Sequence, residues 1–63
     1  MTTIKKAIEA AYESQITSLY KALSQSILAA NGDEAEISAA EARFKKGLAF
    51  AADIKARALT AAQ

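Results

Sequence analysis

Apolar residues recur along the first half of the chain at Ile4, Ile8, Tyr12, Ile16, Leu19, Leu23, Ile27 and Ala30, in steps of three or four. Steps of that size keep to one face of an α-helix. Their mean, about 3.7, is nearer an eleven-residue repeat than a heptad, which predicts a seam that is almost straight or slightly right-handed. The second half carries two inner rows. Ile37, Phe44, Ala51 and Ala58 recur every seven residues, and Ala40, Gly47, Ile54 and Ala61 form the neighbouring row, flanked by Leu48, Ala52 and Leu59. β-branched residues are few and never alternate with period two, so no strand is expected.

One break separates the two patterns, at Asn31-Gly32-Asp33. Gly32, with Asn31 before it, suits the left-handed residue that closes a helix. Asp33 can cap the helix that follows, and Glu36 three residues on makes a variant of the capping box. Asp33, Glu34 and Glu36 also suit the positive end of that helix's dipole. At the other extreme, Thr2 or Thr3 can cap the first turn through its hydroxyl. The pattern predicts a helix over about 3–30, a turn at 31–33 and a second helix over about 34–61. So short a connection places the helices antiparallel and side by side.

The expected fold is all-α, a single hairpin over residues 1–63. Its expected core is Ile8, Ile16, Leu19, Leu23 and Ile27 from the first helix and Ile37, Phe44, Leu48, Ala51 and Leu59 from the second. Many inner positions of the second helix are small, which lets the axes approach toward the short end of the roughly 8–10 Å range. Gly47 inside a helix costs up to about 1 kcal/mol against Ala. Close approach of a neighbouring backbone is the offset expected there.

Composition adds one constraint. The chain has 63 residues with no cysteine, no histidine and no proline. A domain of that size buries only about 60% of its unfolded surface and is marginal without disulfides, metal or oligomerisation. Without cysteine or histidine, the remedy that remains is association. The expected assembly is a dimeric four-helix bundle or a larger helical oligomer, with coiled-coil-like packing. No cofactor is expected.

The formal net charge is +1, too small for a global field toward nucleic acid or membrane. Lys5 and Lys6 resemble a charged leader start, but Glu9 and Glu13 interrupt the apolar run that must follow. No stretch approaches the roughly 20 apolar residues that span a bilayer. The expected location is the cytoplasm or the interior of a macromolecular assembly, without a signal peptide.

Candidate chemistry is sparse. Carboxylates in helical bundles hold paired metals together with Glu-x-x-His motifs, and histidine is absent. Ser14, Ser18, Ser24, Ser26 and Ser38 have no histidine base and no Gly-rich elbow. Tyr12 and Tyr20 read as half-buried packing residues with wet hydroxyls. No enzyme is expected, and no catalytic, cofactor or metal residue is assigned.

Arg43, Lys45, Lys46, Lys55 and Arg57 crowd the second half of the second helix. With these bases, the hairpin resembles, in architecture alone, the RNA-binding dimeric four-helix regulators of plasmid copy number. The resemblance implies a nucleic-acid-binding homodimer as the alternative function; no motif of that family is matched residue by residue. Local pairing accounts for the same charges, because Glu41 with Lys45 and Asp53 with Arg57 are i,i+4 pairs in the better orientation. The five bases also scatter around the helix.

Two features exceed a bare hairpin. Between Ser14 and Ala30 the only charge is Lys21, where a free surface usually carries about a quarter or more charged residues. Phe50 falls beside Ile54 and Ala61 on a helical projection and widens the apolar arc of the second helix to about half the circumference, against the roughly 100° that one neighbour covers. Phe50 and Ile54, flanked by Arg57 and Arg43, have the composition of a docking patch.

These features lead to an expected structural or adaptor role through helix–helix association. The chain would be a small assembly subunit, including the phage or virion accessory kind, or a regulator docked on a larger protein. Its partners would be itself and a larger protein. In a homodimer the acidic turn and the basic open end, with Lys5, Lys6, Lys55 and Arg57, favour antiparallel hairpins.

Overall fold

A computed structural model of the chain describes residues 3–63. Two helices, α1 (Ile4–Ala30) and α2 (Glu34–Ala61), pack against each other, and the described residues contain no strand. Thr3 is the N-cap of α1: its hydroxyl oxygen accepts from the Lys6 amide at 3.1 Å. Thr2, the other capping candidate, lies outside the described residues.

Gly32 has the positive φ expected of it, 86°, and Asn31 before it, the C-cap of α1, is left-handed as well, at φ 51°. Asparagine tolerates that conformation because its short polar side chain adds little steric cost. Two successive positive φ values reverse the chain within three residues. Asp33 then caps α2, its carboxylate accepting from the Glu36 amide at 3.1 Å. The capping box is only half made, since the Asp33 amide donates to the Ala30 carbonyl at 3.0 Å rather than to the Glu36 side chain.

The hairpin is one layer of two rods. Its Cα extents are 46 × 20 × 7 Å and its radius of gyration is 14.7 Å, against about 11 Å for a compact domain of the same length. A single layer cannot surround a large side chain. Among the described residues, the buried hydrophobic ones are three alanines, Ala30, Ala40 and Ala51, with Ala51 at 0% exposure. Of the expected core, Ile8, Ile16, Leu19, Leu23, Ile37, Phe44, Leu48 and Leu59 are half-buried. Ile27 is exposed, because α2 reaches only one side of its row. Ala52 and Ala61, expected on the inner face or its flank, are exposed as well.

The neighbour of Gly47 is a side chain of α1 rather than the backbone expected there. A Cβ built on Gly47 would stand 2.5 Å from Leu19 Cδ2. The glycine thus leaves room for Leu19 between the helices.

Candidate interaction surface

The surface on which function can rest is set by how α1 and α2 divide the apolar arc between them. Leu19, Ala22, Leu23 and Ser26 of α1 line one shallow depression with Ala40 and Arg43 of α2. Ile8, Ala11, Tyr12 and Gln15 line a second with Ala51 and Ile54. A third, nearest the turn, lies among Ser26, Ala29, Glu36, Ala39 and Arg43. At 100° per residue, Ala11, Ala22 and Ala29 fall on one flank of α1, while Arg43, Phe50, Ile54 and Arg57 fall on one flank of α2. The depressions join these two flanks, so they share one broad side of the hairpin. The other broad side carries Glu9, Ile16, Tyr20 and Ile27 of α1 with Glu41, Leu48 and Leu59 of α2 by the same projection.

Phe50 is 60% exposed and Ile54 41%. The patch of Phe50, Ile54 and Arg57 therefore stands on the open flank of α2, with Ile54 also bordering the depression shared with Ile8, Ala11 and Tyr12 of α1. Arg57, the third member, is turned along its own helix: its Nε donates to Asp53 Oδ2 at 2.9 Å, and both side chains are largely in solvent. Exposed pairs of this kind contribute about 0–1 kcal/mol. The companion pair expected between Glu41 and Lys45 is not formed among the described residues.

Tyr12 and Tyr20 separate. Tyr12 is half-buried, and the Lys55 ammonium lies over its ring, 4.7 Å from the centroid. This cation–π contact bridges α1 and α2 and engages one of the five bases considered for phosphate binding. Tyr20, expected to be half-buried as well, is 65% exposed on the opposite broad side. Leu28 at 81% and Ile4 at 66% complete a surface with many large apolar groups in water.

The hydroxyls offer little chemistry. Thr17 Oγ1 donates to the Glu13 carbonyl and Thr60 Oγ1 to the Ala56 carbonyl, each at 3.0 Å. Both are turned back onto their own helix in the manner of helical threonines. Among the described residues, no three acidic side chains gather as a metal site. No helix among them is long and apolar enough to cross a membrane.

The extent of the open surface can be measured. The chain exposes 4980 Å², whereas a compact folded protein of its 6.6 kDa mass exposes about 3,900 Å². The excess, roughly 1,100 Å², exceeds the approximately 800 Å² that one partner contributes to an interface of standard size. In comparison with known proteins, the chain matches no family model, no curated protein and no solved structure.

Proposed function

We propose that this chain acts without catalysis, as a structural or adaptor protein that works by helix–helix association. In that role it is a small assembly subunit, of the kind that accompanies phage or virion structures, or a regulator docked on a larger protein. The observation that carries this reading is the single-layer architecture, with alanine-only burial and an excess of exposed surface the size of one partner's share in a stable complex. Large apolar side chains in water, Phe50 and Leu28 among them, fit a surface made to be covered. Partner association supplies the stability that so small a core lacks.

Sedimentation equilibrium tests this reading. The expected result is a dimer or larger species at micromolar concentration, with a melting temperature that rises with concentration. A well-folded monomer throughout that range, with no partner recovered from the native source, removes it. The alternative, a nucleic-acid-binding homodimer, is separated by salt. Helix packing holds in high salt, whereas phosphate contacts lose affinity steeply. The engagement of Lys55 by Tyr12 favours the association reading, because it draws one of the five bases onto α1.

A further inference from the structure

We infer that the broad side bearing Phe50 and Ile54 receives a second copy of this chain, laid antiparallel across it. The inference rests on the association reading above and specifies its face, its occupant and its orientation.

Charge selects the face. On the Phe50 side, α1 presents Ala11, Gln15, Ser18, Ala22, Ser26 and Ala29, with no ionisable group among them. The charges on that side, Glu36, Arg43, Lys55 and Arg57, all come from α2, and the Lys55 ammonium is already drawn onto the Tyr12 ring. The opposite side places Glu9 and Glu13 of α1, and Glu41 and Lys45 of α2, next to its apolar residues. Interface centres are depleted of charge and keep arginine and aromatic residues, which is the composition of the Phe50 side. The charge-poor run from Ser14 to Ala30 is accounted for on the same terms.

Area and symmetry select the occupant. The excess surface of roughly 1,100 Å² covers what one protomer loses in a dimer of standard size. A two-fold axis makes the same patch serve both partners, so the patch must complement itself. The midpoint of α2 falls at Gly47–Leu48. An antiparallel two-fold there sets Phe50 about 7–8 Å along the axis from its mate, at 1.5 Å per residue. It also sets Ile54 level with the partner's depression between Ala40 and Arg43. Phe50 then lies nearest the two-fold, with Arg43 about 7 Å and Arg57 about 14 Å from it along the helix.

The ends select the orientation. The turn carries Asp33, Glu34 and Glu36 with no base from Leu28 to Ser38, while Lys5, Lys6, Lys55 and Arg57 lie toward the open end. An antiparallel pair brings each acidic turn toward the partner's basic end. A parallel pair stacks three carboxylates on three, a repulsive element that discriminates between orientations.

The test uses the full chain with two charge-inserting variants and one spin label. Phe50→Glu is expected to raise the dimer dissociation constant at least about tenfold with helix content unchanged, as truncation of a central aromatic does. Tyr20→Glu, on the opposite side, is expected to change it by less than about threefold, the range of a residue outside the contact. A nitroxide on Ala35→Cys, on the outer surface near the turn, is expected to give a label-to-label distance of roughly 35–45 Å from the helical rise. A distance under about 25 Å overturns the antiparallel arrangement. Weakening by Tyr20→Glu but not Phe50→Glu overturns the face and leaves the association reading standing. A folded monomer that associates only with a foreign helix or with nucleic acid overturns the second copy as occupant. A folded monomer that associates with nothing overturns both.

Discussion

Leu19 occupies the space that a side chain at position 47 would need: a Cβ on Gly47 would lie 2.5 Å from Leu19 Cδ2. The two residues therefore set how closely α1 and α2 pack at mid-length. The conflicting atom is the end of a flexible side chain, so a small addition can be absorbed. Gly47→Ala should gain up to about 1 kcal/mol of helix propensity and lose a similar amount in moving Leu19 off its preferred rotamer. The expected net is within about 1 kcal/mol of zero. In a Leu19→Ala background the same change should stabilise, because the clash is gone while the propensity gain remains. Urea unfolding of the four chains checks this; equal effects of Gly47→Ala in both backgrounds would mean that the two residues are not coupled.

A larger residue at the same place should force the helices apart. Gly47→Leu is expected to destabilise by about 1–3 kcal/mol, the usual cost of overpacking. At roughly 4–8 °C per kcal/mol for a domain this small, thermal unfolding followed by circular dichroism will resolve it. Ala51, at 0% exposure, should behave the same way when changed to Leu. A neutral result at Ala51 would mean that the contact line is looser than its burial indicates.

The turn should be sensitive residue by residue. Gly32 has a φ of 86°, and a Cβ added there would meet nothing within 4 Å, so its constraint is conformational and not steric crowding. Gly32→Ala is expected to cost about 1 kcal/mol through backbone strain alone. Asp33→Ala removes the acceptor of the Glu36 amide and should cost about 0.5–2 kcal/mol, while Asp33→Asn or Asp33→Ser should restore most of it. Melting temperatures of these four variants, at matched concentration, give the comparison. An Asp33→Ala chain as stable as the parent would show that the amide finds water at no cost.

Lys55 and Tyr12 should show a coupling of about 0.5–1 kcal/mol in a double-mutant cycle with Lys55→Gln and Tyr12→Leu. The Asp53–Arg57 pair, lying on one exposed helix surface, should couple by no more than about 0.2–0.5 kcal/mol. High salt should erase most of that exposed coupling. The Lys55–Tyr12 coupling should persist better, since both groups are half-buried. Equal salt sensitivity of the two cycles would place Lys55 in solvent.

The helices and the turn are legible in the sequence because their causes are local. Apolar spacing sets the helical faces, and Asn31, Gly32 and Asp33 carry backbone preferences that act over two or three residues. Contacts that depend on register between the helices are not legible. Nothing in the spacing of Tyr12 or Lys55 alone says that one rests on the other, because that requires knowing which turn of α2 lies level with which turn of α1. Depth is equally hidden. A helical projection gives the direction of Ile27 and Tyr20 but not how far the neighbouring rod reaches around them, and in a single layer it does not reach far enough. Phe50 stands out because its direction, at the margin of the arc, is the informative quantity. The partner of Gly47 differs from expectation for a related reason: spacing announces a close approach without saying whether backbone or side chain makes it.

The thinness of the layer has a consequence for how such a chain can change over generations. A thick domain hides its packing residues, so its surface can drift without disturbing the interior. Here Leu19 and Phe44 each hold the hairpin together and each also line a depression on its Phe50 side. A substitution at either alters the fold and the proposed contact surface in one step. Under the proposed association, selection for a partner and selection for folding act on the same few atoms, and neither can relax while the other is held.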